Sequence, residues 1–171
     1  MNPIQQKPIK VALADDHILL RHALATLIDQ SGNCKVILQA SNGKELCNAL
    51  TQDNQPDVII LDMNMPVMGG IETLKRVKEM EPTTEVIVLT GQGSIESAVQ
   101  AIESGAYDYL TKPCRLSELD ALLQKALEKR QLNRENAHLR RLVKGIGKTP
   151  VLIGNSMAMN TLYKMIDKVA P

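Results

Sequence analysis

The chain has 171 residues, 44% of them hydrophobic, with no Phe or Trp and three tyrosines, Tyr107, Tyr109 and Tyr163, so one domain of ordinary size plus a tail is expected, with a core of Leu, Ile, Val, Ala and Met. The net charge of +1 hides a polarity: residues 1 to 124 hold 10 Lys plus Arg against 16 Asp plus Glu, whereas residues 125 to 148 hold 8 against 2, an acidic globule followed by a basic arm. No apolar run reaches the roughly 18 residues of a membrane span, and the start lacks the charged-then-apolar pattern of a secretion signal, which excludes membrane and exported classes and predicts a soluble, cytoplasmic protein.

After a polar leader, residues 1 to 8, strand-like and helical runs alternate. A strand near Ile9 to Ala14 leads to a helix near His17 to Gln30, in which Ile18, Leu20, Leu24, Leu27 and Ile28 keep approximate helical spacing and Ser31-Gly32-Asn33 supplies the stop. Then come a strand near Lys35 to Ala40, a helix near Lys44 to Leu50, a strand near Val58 to Leu61 and a helix near Ile71 to Met80. A strand near Val86 to Leu89, a helix near Ile95 to Ser104 and a short strand near Tyr107 to Leu110 complete the series. Such alternation predicts a parallel sheet covered on both faces by right-handed crossovers.

The final helix starts near Leu116 and runs without Gly or Pro to Lys144, roughly 40 Å at 1.5 Å per residue, about twice what the sheet needs. Leu132, Asn136, Leu139 and Val143 follow 4-3-4 spacing, a brief seam for a two-stranded coiled coil in which an Asn fixes register; the alternative is a solvated extension. Lys144 to Pro150 reads as a joint, and Ser156 to Val169 as one more amphipathic helix. Gly147-Lys148-Thr149 imitates the end of a P-loop, but Leu142 stands where its first Gly belongs. The basic arm lacks a helix-turn-helix or zinc pattern and reads as a solvated face rather than a nucleic-acid surface. Cys34, Cys47 and Cys114 show no CxxC pairing, so neither a disulfide framework nor a zinc site is expected.

Chemistry-bearing residues sit at the ends of the apolar runs: Asp15 and Asp16 after the first, Asp62 after Val58 to Leu61, Thr90 after Val86 to Leu89, and Lys112 after Tyr109-Leu110-Thr111. In open α/β sheets chemistry gathers at the carboxyl ends of the strands. On neighbouring parallel strands these groups converge on one patch, where mutually repelling carboxylates call for a divalent cation and an ammonium. His17 reads as a helix-start residue, because adjacent side chains diverge, and Gly69-Gly70 as a turn that re-enters a helix.

Asp15-Asp16, Asp62 within Leu61-Asp62-Met63-Asn64-Met65-Pro66, Thr90 before Gly91, and Tyr109-Leu110-Thr111-Lys112-Pro113 resemble the receiver domain of two-component response regulators over about residues 9 to 128. The resemblance implies a flavodoxin-like (CheY-like) doubly wound, five-stranded parallel sheet of order 2-1-3-4-5. It implies that Asp62 is the phosphoacceptor and that Mg²⁺ is held by Asp16, Asp62 and the backbone carbonyl of Asn64, with Asp15 acting through water. Lys112 and Thr90 would bind the phosphoryl group, with Thr90 and Tyr109 as switch residues and a cis bond between Lys112 and Pro113. A sensor histidine kinase is the implied donor. A slow self-dephosphorylating acceptor, not an enzyme, is expected.

Residues 153 to 159 and the helix that follows resemble the opening of the AAA+ domain in NtrC-type activators of sigma-54 RNA polymerase. The chain then divides into a leader (1–8), a receiver (9–128), a linker helix and joint that supports a homodimer (129–150), and the start of a truncated AAA+ domain (151–171). Sigma-54 RNA polymerase and DNA are implied only through domains that these residues do not contain. A stand-alone phosphorelay receiver is the alternative, and a metal-dependent phosphatase is disfavoured because no further acid or base accompanies Asp62.

Overall fold

A computed structural model describes residues 8–51, 54–91, 95–146, 156–157, 159–161 and 165. The leader up to residue 7, residues 147–150 of the expected joint, the P-loop imitation and most of the expected AAA+ segment lie outside the described residues, whereas Lys144, Gly145 and Ile146, expected as the start of that joint, continue the last helix. In chain order the elements are β1 (Ile9–Ala14), α1 (Ile18–Gln30), β2 (Cys34–Ala40), α2 (Gly43–Ala49), β3 (Val58–Asp62), α3 (Gly70–Met80), β4 (Glu85–Thr90), α4 (Ile95–Glu103), β5 (Asp108–Thr111) and α5 (Leu116–Ile146). All five strands run parallel in the order β2-β1-β3-β4-β5, the doubly wound arrangement expected.

Each apolar strand run serves two cores, because successive side chains of a strand point to opposite faces. Ala12, Ala14, Ile59, Leu61, Val86 and Val88 pack with Leu46 and Cys47 of α2, Leu74 and Val77 of α3, and Ala101 of α4. Val11, Leu13, Val58, Ile60, Ile87 and Leu89 pack with Leu24, Ala25 and Ile28 of α1 and with Leu119, Leu123 and Ala126 of α5. Burial on both faces explains why these strands read as continuous hydrophobic runs. Each large aliphatic side chain so buried contributes roughly 1.5 to 3 kcal/mol.

Local chemistry closes the helices. Gly32 has φ +74° just past α1, the left-handed conformation that glycine adopts without strain. Asn42 caps α2 by accepting from Glu45 N–H at 2.9 Å, and the Glu45 carboxylate reaches back to accept from Ser41 N–H and Oγ at 2.8 and 2.6 Å, which ties the first turn to the chain that enters it. The cysteines are free, and burial pushes the thiols of Cys34 and Cys47 up, as befits small core residues.

The chain forms two compact units, Met1–Glu135 and Asn136–Pro171. In the second, Met157, Met159 to Thr161 and Met165 are helical, and the Ser156 hydroxyl accepts from Met159 N–H at 3.3 Å.

Val67, in the loop between β3 and α3, has φ +70° and is 77% exposed. A β-branched residue in the left-handed region costs about 1 to 2 kcal/mol, and little packing offsets that cost here. Val67→Asn, whose side chain tolerates this conformation, is expected to raise Tm by about 3 °C for a gain of about 1 kcal/mol. Thermal unfolding followed by circular dichroism decides, and an unchanged or lower Tm refutes the strain.

Candidate functional site

Strand register brings the strand-end residues together. Ala14 pairs with Leu61, Asp62 with Leu89 and Thr90 with Thr111, so β1, β3, β4 and β5 end side by side. Asp15 N–H bonds to Ala40 O at 3.1 Å, Met63 N–H to Leu89 O at 2.8 Å and Lys112 N–H to Thr90 O at 2.7 Å. These bonds extend the ladder past the strand ends and fix the backbone beneath the site. Arg21 of α1 donates to Asp15 O from the side.

Lys112 Nζ lies 2.7 Å from Asp15 Oδ2 and 3.0 Å from Asp62 Oδ1. Asp62 is only 2% exposed, and Asp15 and Thr90 are buried beside it. Burial pushes the Asp62 carboxyl above its usual range; Lys112 pulls it back, Asp15 repels it further, and the Asn64 N–H opposes that rise. Burial also acts to lower the Lys112 ammonium, but its bonds to Asp15 and Asp62 outweigh this and raise it. The two directions are consistent: one ammonium shared by two buried carboxylates is over-supplied with negative partners, and each carboxylate is under-supplied with positive ones.

Asp16 extends that imbalance. Its Oδ1 is shielded from solvent without a hydrogen bond, although His17 Nδ1 lies 2.9 Å away in an unaligned contact. Three carboxylates against one ammonium leave a deficit of two positive charges. An all-oxygen set with that deficit fits a hard divalent cation such as Mg²⁺.

The remaining expected residues sit around this centre. Asn64 lies in the exposed loop after β3. A Cβ on Gly91 would meet nothing within 4 Å, which leaves open space beside Thr90. Tyr109 is exposed in β5 and lines an apolar cavity of about 250 Å³ with Ala98, Val99, Ile102 and Glu103. The Lys112–Pro113 bond is cis. Leu132, Asn136 and Leu139 are exposed along α5, and the side chain of Val143 lies outside the described residues.

Two residues play parts that sequence reading did not assign. Gly70 does more than turn the chain: a Cβ there would come within 2.7 Å of Met63 Cα and 2.8 Å of Asp62 O, so its bareness lets α3 begin against the backbone of Asp62. His17 does begin α1 as its N-cap, but its ring does not diverge from the acidic pair. Its backbone N–H bonds to Asp15 Oδ1 at 2.8 Å, and this tight turn folds the imidazole over Asp15 and Asp16.

Residues 11–124 match the response regulator receiver domain family. The chain is 33% identical over 164 residues to the regulatory protein AtoC of Escherichia coli strain K12, covering 94% of this chain and 34% of that protein. It is 32% identical over 161 residues to the DNA-binding transcriptional regulator NtrC of the same strain, covering 94% and 33%. The crystal structure of NtrX from Brucella abortus in complex with ADP superposes with a TM-score of 0.72 at 29% identity, covering 96% of this chain and 35% of that one. The chain thus spans about a third of the length of these relatives. With the receiver sheet order and a buried strand-end carboxylate bracketed by a lysine, it belongs to the response regulator receiver domain family, among receivers related to those of NtrC-type regulators.

Proposed function

We propose that this chain is the phosphoryl-accepting input of an NtrC-type transcriptional activator, with Asp62 as the acceptor and a sensor histidine kinase as the donor. The observation that carries the reading is the buried Asp62 carboxylate with Lys112 Nζ 3.0 Å from Oδ1. In the transfer, an Asp62 oxygen attacks phosphorus as the bond from phosphorus to the donor's histidine nitrogen breaks. The electron pair leaves on that nitrogen, and an acyl phosphate forms on Asp62.

Asp16, Asp62 and the Asn64 carbonyl would hold Mg²⁺, with Asp15 acting through water. When bound, Mg²⁺ supplies neutralisation of the phosphoryl charge. Lys112 orients Asp62 and meets the transferred oxygens, and the Thr90 hydroxyl binds one of them from the end of β4. Tyr109 then moves inward from its exposed position and changes the surface between α4 and β5. Such a switch needs a phosphoryl group that contacts the two states differently.

Downstream, residues 129–150 act as a linker that joins two copies through Leu132, Asn136, Leu139 and Val143. Leu132 and Leu139, one heptad apart, are both more than half exposed, which leaves apolar surface for a second copy to cover. Residues 151–171 open an AAA+ domain that acts on sigma-54 RNA polymerase, while DNA is bound elsewhere. The alignments favour this over a stand-alone relay receiver, since they cover 94% of the chain rather than the receiver alone. No helix among the described residues is long and apolar enough to cross a membrane, which suits a cytoplasmic switch.

Intact mass spectrometry tests the proposal. With Mg²⁺ and acetyl phosphate, the chain is expected to gain one phosphoryl group, and with a chelator in place of Mg²⁺ none. An unchanged mass with Mg²⁺ overturns the acceptor role. Solution mass with and without beryllofluoride tests the seam, which a monomer under both conditions overturns.

A further inference from the structure

We infer that His17 sets the metal selectivity of the acidic pocket, adding a nitrogen donor that lets Zn²⁺ and similar first-row ions compete with Mg²⁺. The inference rests on the reading of that pocket as a metal site. One ligand atom from each of Asp15, Asp16, His17 and Asp62 lies within 4.8 Å of the others. His17 Nδ1 is 2.9 Å from Asp16 Oδ1 and 3.4 Å from Asp15 Oδ1. Zinc bonds to imidazole nitrogen and carboxylate oxygen are about 2.0 to 2.2 Å, so ligands of one tetrahedral ion lie about 3.4 Å apart. The widest-spaced of the four atoms therefore close by at most about 1.4 Å, within reach of side-chain rotation.

The chemistry separates the ions. Mg²⁺ takes oxygen ligands and sheds water reluctantly, so an imidazole adds little to its affinity. Zn²⁺, Co²⁺ and Ni²⁺ accept imidazole readily and bind a given mixed N/O site more tightly as the series rises. Three carboxylates and one imidazole meet the four-coordinate preference of zinc. The His17 side chain is 71% exposed and makes no capping bond, so neither core packing nor the helix start requires the ring to lie over the carboxylates. A plain ion pair at this exposure would contribute little. A zinc-class ion seated there draws on the same carboxylates as Mg²⁺, which makes phosphoryl acceptance sensitive to the balance between them.

Isothermal titration with Mg²⁺ and with Zn²⁺, run on the whole chain and on His17→Ala and His17→Asn, tests this. Asn keeps a good helix cap but has no nitrogen lone pair to offer a metal. Both variants are expected to lose about 10-fold or more in Zn²⁺ affinity, a loss typical of disturbed metal sites, while Mg²⁺ affinity stays within about two-fold. The visible absorption of bound Co²⁺ is expected to change with them. Asp16→Asn is expected to weaken both ions, which ties zinc to the pocket. Equal effects of the His17 variants on both ions, or none on Zn²⁺, overturn the role of His17 while leaving the pocket standing. A native chain that binds neither ion overturns the metal site itself.

Discussion

Asp62→Asn is expected to reduce phosphoryl acceptance to background while raising the stability of the metal-free protein. The first effect follows from the chemistry of the acceptor: an amide oxygen is not the anionic nucleophile that phosphoryl transfer requires. The second follows from the environment of the carboxylate. Burial raises the folded-state Asp62 carboxyl, and Lys112 does not fully compensate. A carboxyl raised on folding binds more protons in the native state than in the unfolded one, so its contribution to stability falls as pH rises from the unfolded value through the folded one. At neutral pH the native chain therefore carries the cost of a buried charge that the amide lacks. The Tm advantage of Asp62→Asn is expected to be present at neutral pH, to shrink as the medium is acidified through the raised folded value, and to be gone below the ordinary carboxylate range. Mass spectrometry after phosphodonor treatment reads the first effect, and paired thermal melts at neutral and acidic pH read the second. A phosphorylated variant would move the acceptor elsewhere. A variant less stable at neutral pH would show that the Asp62 to Lys112 contact outweighs the burial of the charge.

Such a cost belongs to a site that waits for a partner, and its position was legible because the fold announces it. The runs Val58 to Leu61 and Val86 to Leu89 are buried on both faces, so their apolar continuity revealed parallel strands, and their polar successors Asp62 and Thr90 had to lie at the carboxyl edge. Lys112 was legible for the same reason, although 97 residues separate it from Asp15. What spacing does not encode is the path of a single turn. The hydrogen bond from His17 N–H to Asp15 Oδ1 reverses the ordinary expectation that consecutive side chains diverge. The Cβ clash at Gly70 depends on how closely α3 approaches β3, a distance set by packing. Gly43 is alike: a Cβ there would meet Thr73 Oγ1 of α3 at 1.7 Å, and nothing local to Gly43 foretells it.

The far end of the sheet was the least legible, and the second large effect is expected there. Arg130→Ala is expected to destabilise the first unit by about 3 kcal/mol, near the lower end of what breaking a buried pair costs, and to lower Tm by about 10 °C. Arg130 lies on α5, six residues past the family match, and is 1% exposed, the largest fully buried side chain among the described residues. Its Nη1 donates to Pro56 O at 2.6 Å and to Asp57 Oδ1 at 2.8 Å. Asp57 in turn accepts from Lys10 N–H through Oδ2 at 2.8 Å and donates its own N–H to Lys10 O at 2.7 Å. One guanidinium thus ties α5 to the entrances of β1 and β3. The neighbouring Lys129 reaches Glu85 at 3.7 Å and lies 4.9 Å from the Tyr107 ring centroid, so consecutive residues grip both halves of the sheet. In sequence Arg130 belonged to a predominantly basic arm, and its pairing with a carboxylate 73 residues earlier left no local trace. Removing it strands Asp57 and the Pro56 carbonyl and opens a void; Arg130→Met fills the void without satisfying the acceptors. Chemical denaturation of Arg130→Ala, Arg130→Met, Asp57→Asn and the doubles separates the two costs through a double-mutant cycle. If the polar tie dominates, Met is nearly as damaging as Ala and the coupling with Asp57 exceeds about 1 kcal/mol. If Met restores native stability, α5 is held here by packing alone and the tie fails as an explanation. Since the tie sits where α5 leaves the sheet, on the side opposite Asp62, its loss is also expected to loosen amide protection in residues 131–135 while phosphoryl acceptance persists in the molecules that remain folded.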